Sequence, residues 1–142
     1  MTVGPGFLEP ATGVAVAYIR DGHVLLGRRI AAHGNGLIQL PGGKPDDGEA
    51  LADTALRELE EETGIRAIVV TEVARQVDDF PEVGKRYTTH FFIAAGGEDE
   101  PENREPDKCE GWSWFALDAW PDELFAIDPA TIEIIRLAAS QA

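Results

Sequence analysis

Two apolar runs, separated by three residues, open the readable pattern of this chain. GVAVAYI (13–19) is rich in β-branched and aromatic residues, and HVLLGRR (23–29) follows directly after Asp21-Gly22. Runs of this kind joined by Asp-Gly predict a β-hairpin. AAHGNG (31–36) predicts a loop, and LIQLP (37–41) a short extended piece ended by Pro41. The periodicity then changes. On a helix over residues 49–63, Ala52, Ala55, Leu56 and Leu59 share one arc of about 100°, the width of a core-facing stripe. Asp46 with Glu49 three residues later fits a capping box, and Gly64 fits the left-handed residue beyond the helix end. IRAIVVTEVARQV (65–77) and KRYTTHFFIAA (85–95) predict longer strands. GGEDEPENREPDKCE (96–110) is a polar, acidic loop long enough to be disordered or functional. GWSWFAL (111–117) alternates like a strand, and DAWPDELF reads as a short helical turn. Asp128-Pro129 open a last amphipathic helix through Ala139, with Pro at its first position.

Most of these strands are joined by turns and loops, without a helix between each pair. The class expected is α/β, with a mixed or largely antiparallel sheet flanked by helices. No internal repeat and no linker divides the 142 residues, so one domain over residues 1–142 is expected. A composition of 44% hydrophobic and 27% charged residues is that of an ordinary soluble domain. The start, MTVGPGFLEPATG, has no basic region and no apolar core of signal-peptide length. No apolar run approaches the roughly 20 residues that span a bilayer. With a single cysteine, Cys109, no intramolecular disulfide can form. A cytoplasmic protein is expected.

The net charge of −14 argues against a nucleic-acid polymer or an anionic membrane as partner, since both would be repelled. A small anionic ligand stays open if metal ions or a local cationic patch receive it. RELEEETG (57–64) concentrates the charge. On the helix, Glu58, Glu61 and Glu62 fall in a second arc beside the apolar stripe, with Arg57 at its border. Glu60 and Asp53 point elsewhere, to solvent. Like charges at i and i+4 destabilise a helix by a few tenths of a kcal/mol. A solvated acidic face accounts for Glu60 and Asp53 but poorly for the other three. Converging carboxylates suit a hard divalent cation such as Mg²⁺. The preceding PGGKPDDGE (41–49) brings paired glycines, which let backbone approach a ligand closely.

Residues 43–65 read Gly43, five residues, Glu49, seven residues, Arg57-Glu58-Leu59, one residue, Glu61-Glu62, one residue, Gly64-Ile65. This resembles the Nudix box with every defining position filled. The resemblance implies the Nudix hydrolase family, an α/β/α sandwich with a mixed central sheet, and a substrate in which a nucleoside diphosphate is linked to another group. It implies that Glu58 and Glu62 bind Mg²⁺, with Mn²⁺ able to substitute. Glu61 would be a further ligand or the base that activates water, and the Gly43 carbonyl another ligand. Arg57 would hold the glutamates, and Glu49 would support the metal cluster through water. The reaction implied is attack of water on a phosphorus of a diphosphate bridge.

The likeness extends over about residues 13–125. It is closest to MutT-like nucleoside-triphosphate pyrophosphatases, in particular the eukaryotic branch that cleaves oxidised nucleotides and thiopurine nucleotides, and its bacterial relatives. It implies cleavage of an NTP or dNTP to NMP and pyrophosphate, and a homodimer. Arg28 and Arg29 end the second strand and alternate to opposite faces, so one of them can meet substrate phosphates; Arg28 is the candidate named, with Lys44 a second. Trp112 is a candidate for stacking on the base, although Trp112 and Trp114, two apart on a strand, also suit a core. Glu110 is a candidate late ligand or base. Pro81 lies sixteen residues after Ile65, a spacing associated with ADP-ribose pyrophosphatases, and it also fits a turn in DDFPEVG. An ADP-ribose or nucleotide-sugar hydrolase is therefore an alternative, and a nucleotide sensor without catalysis a second.

Overall fold

The structure is a computed structural model, described for residues 7–141. The first six residues and the last, part of the single domain expected over residues 1–142, lie outside the described residues, as does most of the start read as having no signal-peptide pattern. Seven strands and two α-helices run in the order β1 (Glu9–Arg20), β2 (His23–Arg29), β3 (Ile38–Gln39), β4 (Gly42–Gly43), α1 (Leu51–Thr63), β5 (Val69–Phe80), β6 (Lys85–Ala95), β7 (Cys109–Ala116) and α2 (Pro129–Ser140). A 3-10 turn, Pro81–Val83, joins β5 to β6.

The Asp21-Gly22 hairpin forms, with both residues at positive φ (52° and 74°) as the tight turn needs. Its ladder is only two pairs long, Ile19 with Val24 and Arg20 with His23. The strands then part. β1 runs parallel to β6 from Glu9 to Tyr18, while β2 pairs antiparallel with β7. β5 pairs antiparallel with β6. The sheet order is β3-β2-β1-β6-β5, with β4 on β1 and β7 on β2. The sheet is mixed, as expected.

The apolar run in β1 is continuous because both of its faces are covered. Val14, Val16 and Tyr18 join Ala55, Leu59 and Ile65 in the core under α1. Ala17 joins Leu26, Phe91, Ile127 and Ile135 in the core under α2. The sheet is thus held between two helices, an α/β/α sandwich.

Four local expectations change. The strand expected over 65–77 is displaced to Val69–Phe80. The helix starts two residues late, at Leu51, with Ala50 at its N-cap and no side-chain cap bond. The Asp46 N–H does donate to Glu49 Oε1 (3.0 Å), but that pair closes the turn before the helix and delivers Glu49 to Arg57. Gly64 is left-handed (φ 78°), its N–H bonded to the Glu60 carbonyl, as expected. DAWPDELF forms no helical turn: the Ile38 N–H bonds to the Glu123 carbonyl and the Phe125 N–H to the Ile38 carbonyl, so the segment adds to the β3 edge. Loop 96–108 is tied down. Tyr18 Oη donates to the Gly96 carbonyl, Arg20 to that of Asp99, and the Glu102 and Arg104 amides to those of Thr63 and Glu62.

Candidate active site

The carboxylates gather where the C-terminal half of α1 faces β4. Gly42 and Gly43 pair with Ala15 and Val14 of β1, which fixes the glycine pair against the sheet. The Gly42 N–H donates to Glu62 Oε2 at 2.8 Å. The Glu58 carboxylate lies against the Gly43 Cα so closely that any Cβ at position 43 would collide with it. A side chain at 43 would therefore displace the Glu58 carboxylate.

Arg57 organises the other acids. Its guanidinium donates to both Glu49 oxygens (2.9 Å each), to Glu58 Oε1 (2.9 Å), to Glu61 (3.2 and 3.3 Å) and to the Lys44 carbonyl (3.1 Å). Hydrogen bonds from Arg57 above all, then from the Asp46 amide and the Thr54 hydroxyl, hold Glu49 down to about 2. Burial pushes Glu62 up to about 9, and the nearby charges of Glu58 and Glu105 push the same way against the Gly42 hydrogen bond. Glu58 is raised as well, by burial first, with Glu61 and Glu105 adding to it against Arg57.

Among the described residues, no three His, Cys, Asp or Glu groups close into a finished ligand set. Glu58 and Glu62 lie close enough for the charge of one to raise the proton affinity of the other, while Glu61 is drawn toward Arg57. Two half-buried carboxylates side by side, both with raised proton affinity, form an oxygen-rich site. Its donor chemistry fits a hard divalent cation, whose charge would offset the repulsion between the two carboxylates.

On the other side of the glycine pair lies a cavity of about 450 Å³. Its walls carry the aromatic rings of Phe80, Tyr87 and Phe125, and the cations Arg29, Lys44 and Lys85 reach it. Phe80 and Phe125 are near parallel (11°), with centroids 5.9 Å apart, and the His33 ring meets both edge-on. Arg29 donates from Nε to the His33 carbonyl (2.7 Å) and from Nη1 to Gln39 Oε1 (2.9 Å), and it lies 4.2 Å over the Phe125 ring. That leaves N–H groups of the guanidinium for a ligand.

The alternation of the arginine pair holds, but the candidate is the other member. Arg29 lines the cavity, whereas Arg28 faces out between Glu110 (3.5 Å) and Glu123 (3.7 Å). Lys44 does line the cavity, its Nζ 5.9 Å from the Tyr87 ring centroid. Trp112 does not: it packs against the α1 core, and its indole N–H donates to the Glu62 carbonyl at 3.2 Å. Glu110 pairs with Arg28, and the loop acid whose charge reaches Glu58 and Glu62 is Glu105. Pro81 starts the 3-10 turn, and its neighbours Phe80 and Val83 line the cavity. Phe80, Tyr87 and Phe125 carried no signal in the sequence beyond being aromatic, because the β5–β6 hairpin and the distant segment at Phe125 bring them together. Among the described residues, no helix is long and apolar enough to cross a membrane.

Comparison with known proteins agrees with this geometry. The NUDIX domain model matches residues 9–137. An RNA pyrophosphohydrolase of Novosphingobium aromaticivorans is 32% identical over 131 residues, covering 80% of this chain and 81% of its own. One from Caulobacter vibrioides is 33% identical, covering 92% and 84%. Among solved structures, the MutT NUDIX hydrolase from Burkholderia pseudomallei superposes with a TM-score of 0.82 at 33% identity, covering 89% of this chain and 98% of that one. Nudix hydrolases generally use a divalent metal. A complete box running from β4 through the turn into α1, a sheet held between two helices and a family match over nearly the whole chain lead to one conclusion: this protein belongs to the Nudix hydrolase family, with the pyrophosphohydrolases among its relatives.

Proposed function

We propose that this chain hydrolyses a diphosphate bond of a nucleoside or deoxynucleoside triphosphate, with Mg²⁺, to give the monophosphate and pyrophosphate. The observation that carries the reading is that the carboxylate pair and the aromatic, cationic cavity meet at Gly42–Gly43. A cavity of about 450 Å³ is of the size that takes a small-molecule ligand. Phe80, Tyr87 and Phe125 offer flat apolar faces to a base. Arg29 and Lys44 offer charge-assisted hydrogen bonds to phosphate oxygens.

Glu58 and Glu62 would hold the metal ion, with the Gly43 carbonyl, Glu61 and Glu105 near enough in charge or sequence to complete the set. When bound, the ion lowers the charge on the phosphate oxygens and stabilises the leaving pyrophosphate. Glu61, about half exposed and held by Arg57, takes the proton of the attacking water. The new bond is water oxygen to phosphorus, and the bond broken is that from phosphorus to the leaving phosphate oxygen. Mn²⁺ substitutes for Mg²⁺ at such an oxygen site. The protein acts in the cytoplasm as a homodimer, which sedimentation equilibrium checks.

A second reading draws on the relatives, which are named RNA pyrophosphohydrolases. The substrate is then the triphosphate at an RNA 5′ end. The net charge of −14 weighs against a long polyanion. Product analysis with Mg²⁺ separates the readings. The panel holds standard and modified dNTPs, ADP-ribose, a dinucleoside polyphosphate and a 5′-triphosphorylated RNA, each also with Glu61→Gln. Pyrophosphate from a free triphosphate, lost in the variant, is the expected result. Turnover of the RNA alone moves the assignment to RNA ends, and ribose 5-phosphate from ADP-ribose alone moves it to ADP-ribose. Binding of the panel without any turnover makes the protein a nucleotide sensor.

A further inference from the structure

The last turn of α1 ends in carbonyls that the helix itself does not satisfy. Here they are met from outside. The Glu102 N–H donates to the Thr63 carbonyl at 2.8 Å, and the Arg104 N–H to the Glu62 carbonyl at 3.2 Å. The same Glu62 carbonyl takes a second donor, the Trp112 indole Nε1–H, also at 3.2 Å. The Arg104 guanidinium lies against Gly64, adding positive charge at the negative end of the helix.

The indole is aimed there by the chain around it. Trp112 pairs with Gly27 across β2 and β7, and a Cβ on Gly27 would stand 2.7 Å from Trp112 Cε3 and 2.7 Å from Cys109 Sγ. The absence of a side chain at 27 lets the ring lie flat across β2 and reach Glu62. Trp114, two residues on, serves another contact: its ring lies beside Tyr18 and under Arg20.

We propose that Trp112 is a positioning residue for the metal site, acting through the backbone of Glu62. One end of residue 62 is fixed by the Gly42 N–H on its carboxylate and the other by the indole on its carbonyl. Between them they set where the carboxylate stands relative to Glu58. This rests on the proposed reading of Glu58 and Glu62 as metal ligands. Partners that orient ligands from behind matter for affinity: their loss costs about 10- to 100-fold in metal binding or activity. The indole shares its acceptor with the Arg104 amide, so the low end is expected.

The test is Mn²⁺ binding to the purified protein, by titration calorimetry or electron paramagnetic resonance, for the wild type, Trp112→Phe, Gly27→Ala and Trp114→Phe. Trp112→Phe removes the N–H donor together with the rest of the pyrrole ring, a loss of volume that Trp114→Phe matches, whereas Gly27→Ala keeps the donor and displaces the ring along with Cys109 Sγ and the Gly111 carbonyl. Both weaken Mn²⁺ binding about tenfold, and Trp114→Phe binds as the wild type does. In turnover, Trp112→Phe loses rate at low Mg²⁺ and recovers it at saturating Mg²⁺, with the KM for nucleotide unchanged. Equal Mn²⁺ affinity in the wild type and Trp112→Phe overturns the positioning role and leaves the metal site standing. Equal weakening in Trp112→Phe and Trp114→Phe overturns it too, by assigning the effect to general packing. A wild type that holds no Mn²⁺ overturns the metal reading itself, and this inference with it.

Discussion

The site's two halves are built in opposite ways. The carboxylate half comes from a short contiguous stretch: Gly42 and Gly43, then Glu49, then Arg57 to Glu62 on one helix. The cavity half is drawn from residues as far apart as Gly13 and Ile127. The first half is acidic and bound together by one arginine, whereas the second is aromatic and cationic. They meet at the glycine pair and at Lys44, which lines the cavity while its carbonyl accepts from Arg57. The contrast teaches where each kind of requirement is stored. Ligand spacing on a helix is set by its 3.6-residue turn and so survives in local sequence. A cavity needs only that certain surfaces face one another, and any of several segments can supply them.

Removing a ligand should break the acidic half most completely. Glu58→Gln is expected to lower kcat by about a thousandfold, the several kcal/mol of charge stabilisation that a metal site provides, with a small change in KM. Steady-state kinetics checks this; a loss below tenfold would count against Glu58 as a ligand. Next in size is the junction. Gly43→Ala drives a methyl group into the Glu58 carboxylate and should cost about a hundredfold in kcat, the scale of a 1 Å misplacement. A folded Gly43→Ala protein with wild-type kcat would mean the two halves need no close contact.

The cavity half is tested by the arginine pair. Arg29→Ala should raise the KM for a triphosphate by about ten- to a hundredfold, the loss of charge-assisted hydrogen bonds. Arg28→Ala, whose partners are exposed acids, should change it less than about twofold. Reversed effects would put the phosphates on the other face of β2.

The last test concerns the stability of metal-free protein. Glu62 is raised to about 9 in the folded state, so the folded protein holds a proton that the unfolded chain releases near the ordinary glutamate value. Stability is then lost as pH rises from about 5 toward 9. Glu49 acts in the opposite sense: depressed to about 2, it contributes above the ordinary glutamate value and loses that contribution as pH falls through about 2. Urea denaturation with a chelator present should show the alkaline decline. Glu62→Gln should abolish the decline while also abolishing activity, and divalent metal should flatten it in the wild type. An alkaline decline that persists in Glu62→Gln would assign it to another group.

The sequence by itself determined the parts whose geometry is local. The Asp21-Gly22 turn, the left-handed Gly64, Pro129 at the start of α2, and the acidic arc of α1 beside its apolar stripe all follow from short-range backbone and helix geometry. Only the tertiary structure decided the rest. Strand alternation showed that Arg28 and Arg29 diverge, but which one meets the cavity depended on where β3 and residues 123–125 come to lie. The indole of Trp112 reads equally well as a stacking surface or as packing. Its place was fixed where β7 pairs with β2 at Gly27 and brings the ring to the end of α1. Glu105 and Glu110 are equivalent as acids in one loop. The fold of that loop brought the charge of Glu105 to bear on Glu58 and Glu62 and paired Glu110 with Arg28. The physical reason is common to all three: a side chain's neighbours across strands and loops are set by long-range pairing, which no local pattern encodes.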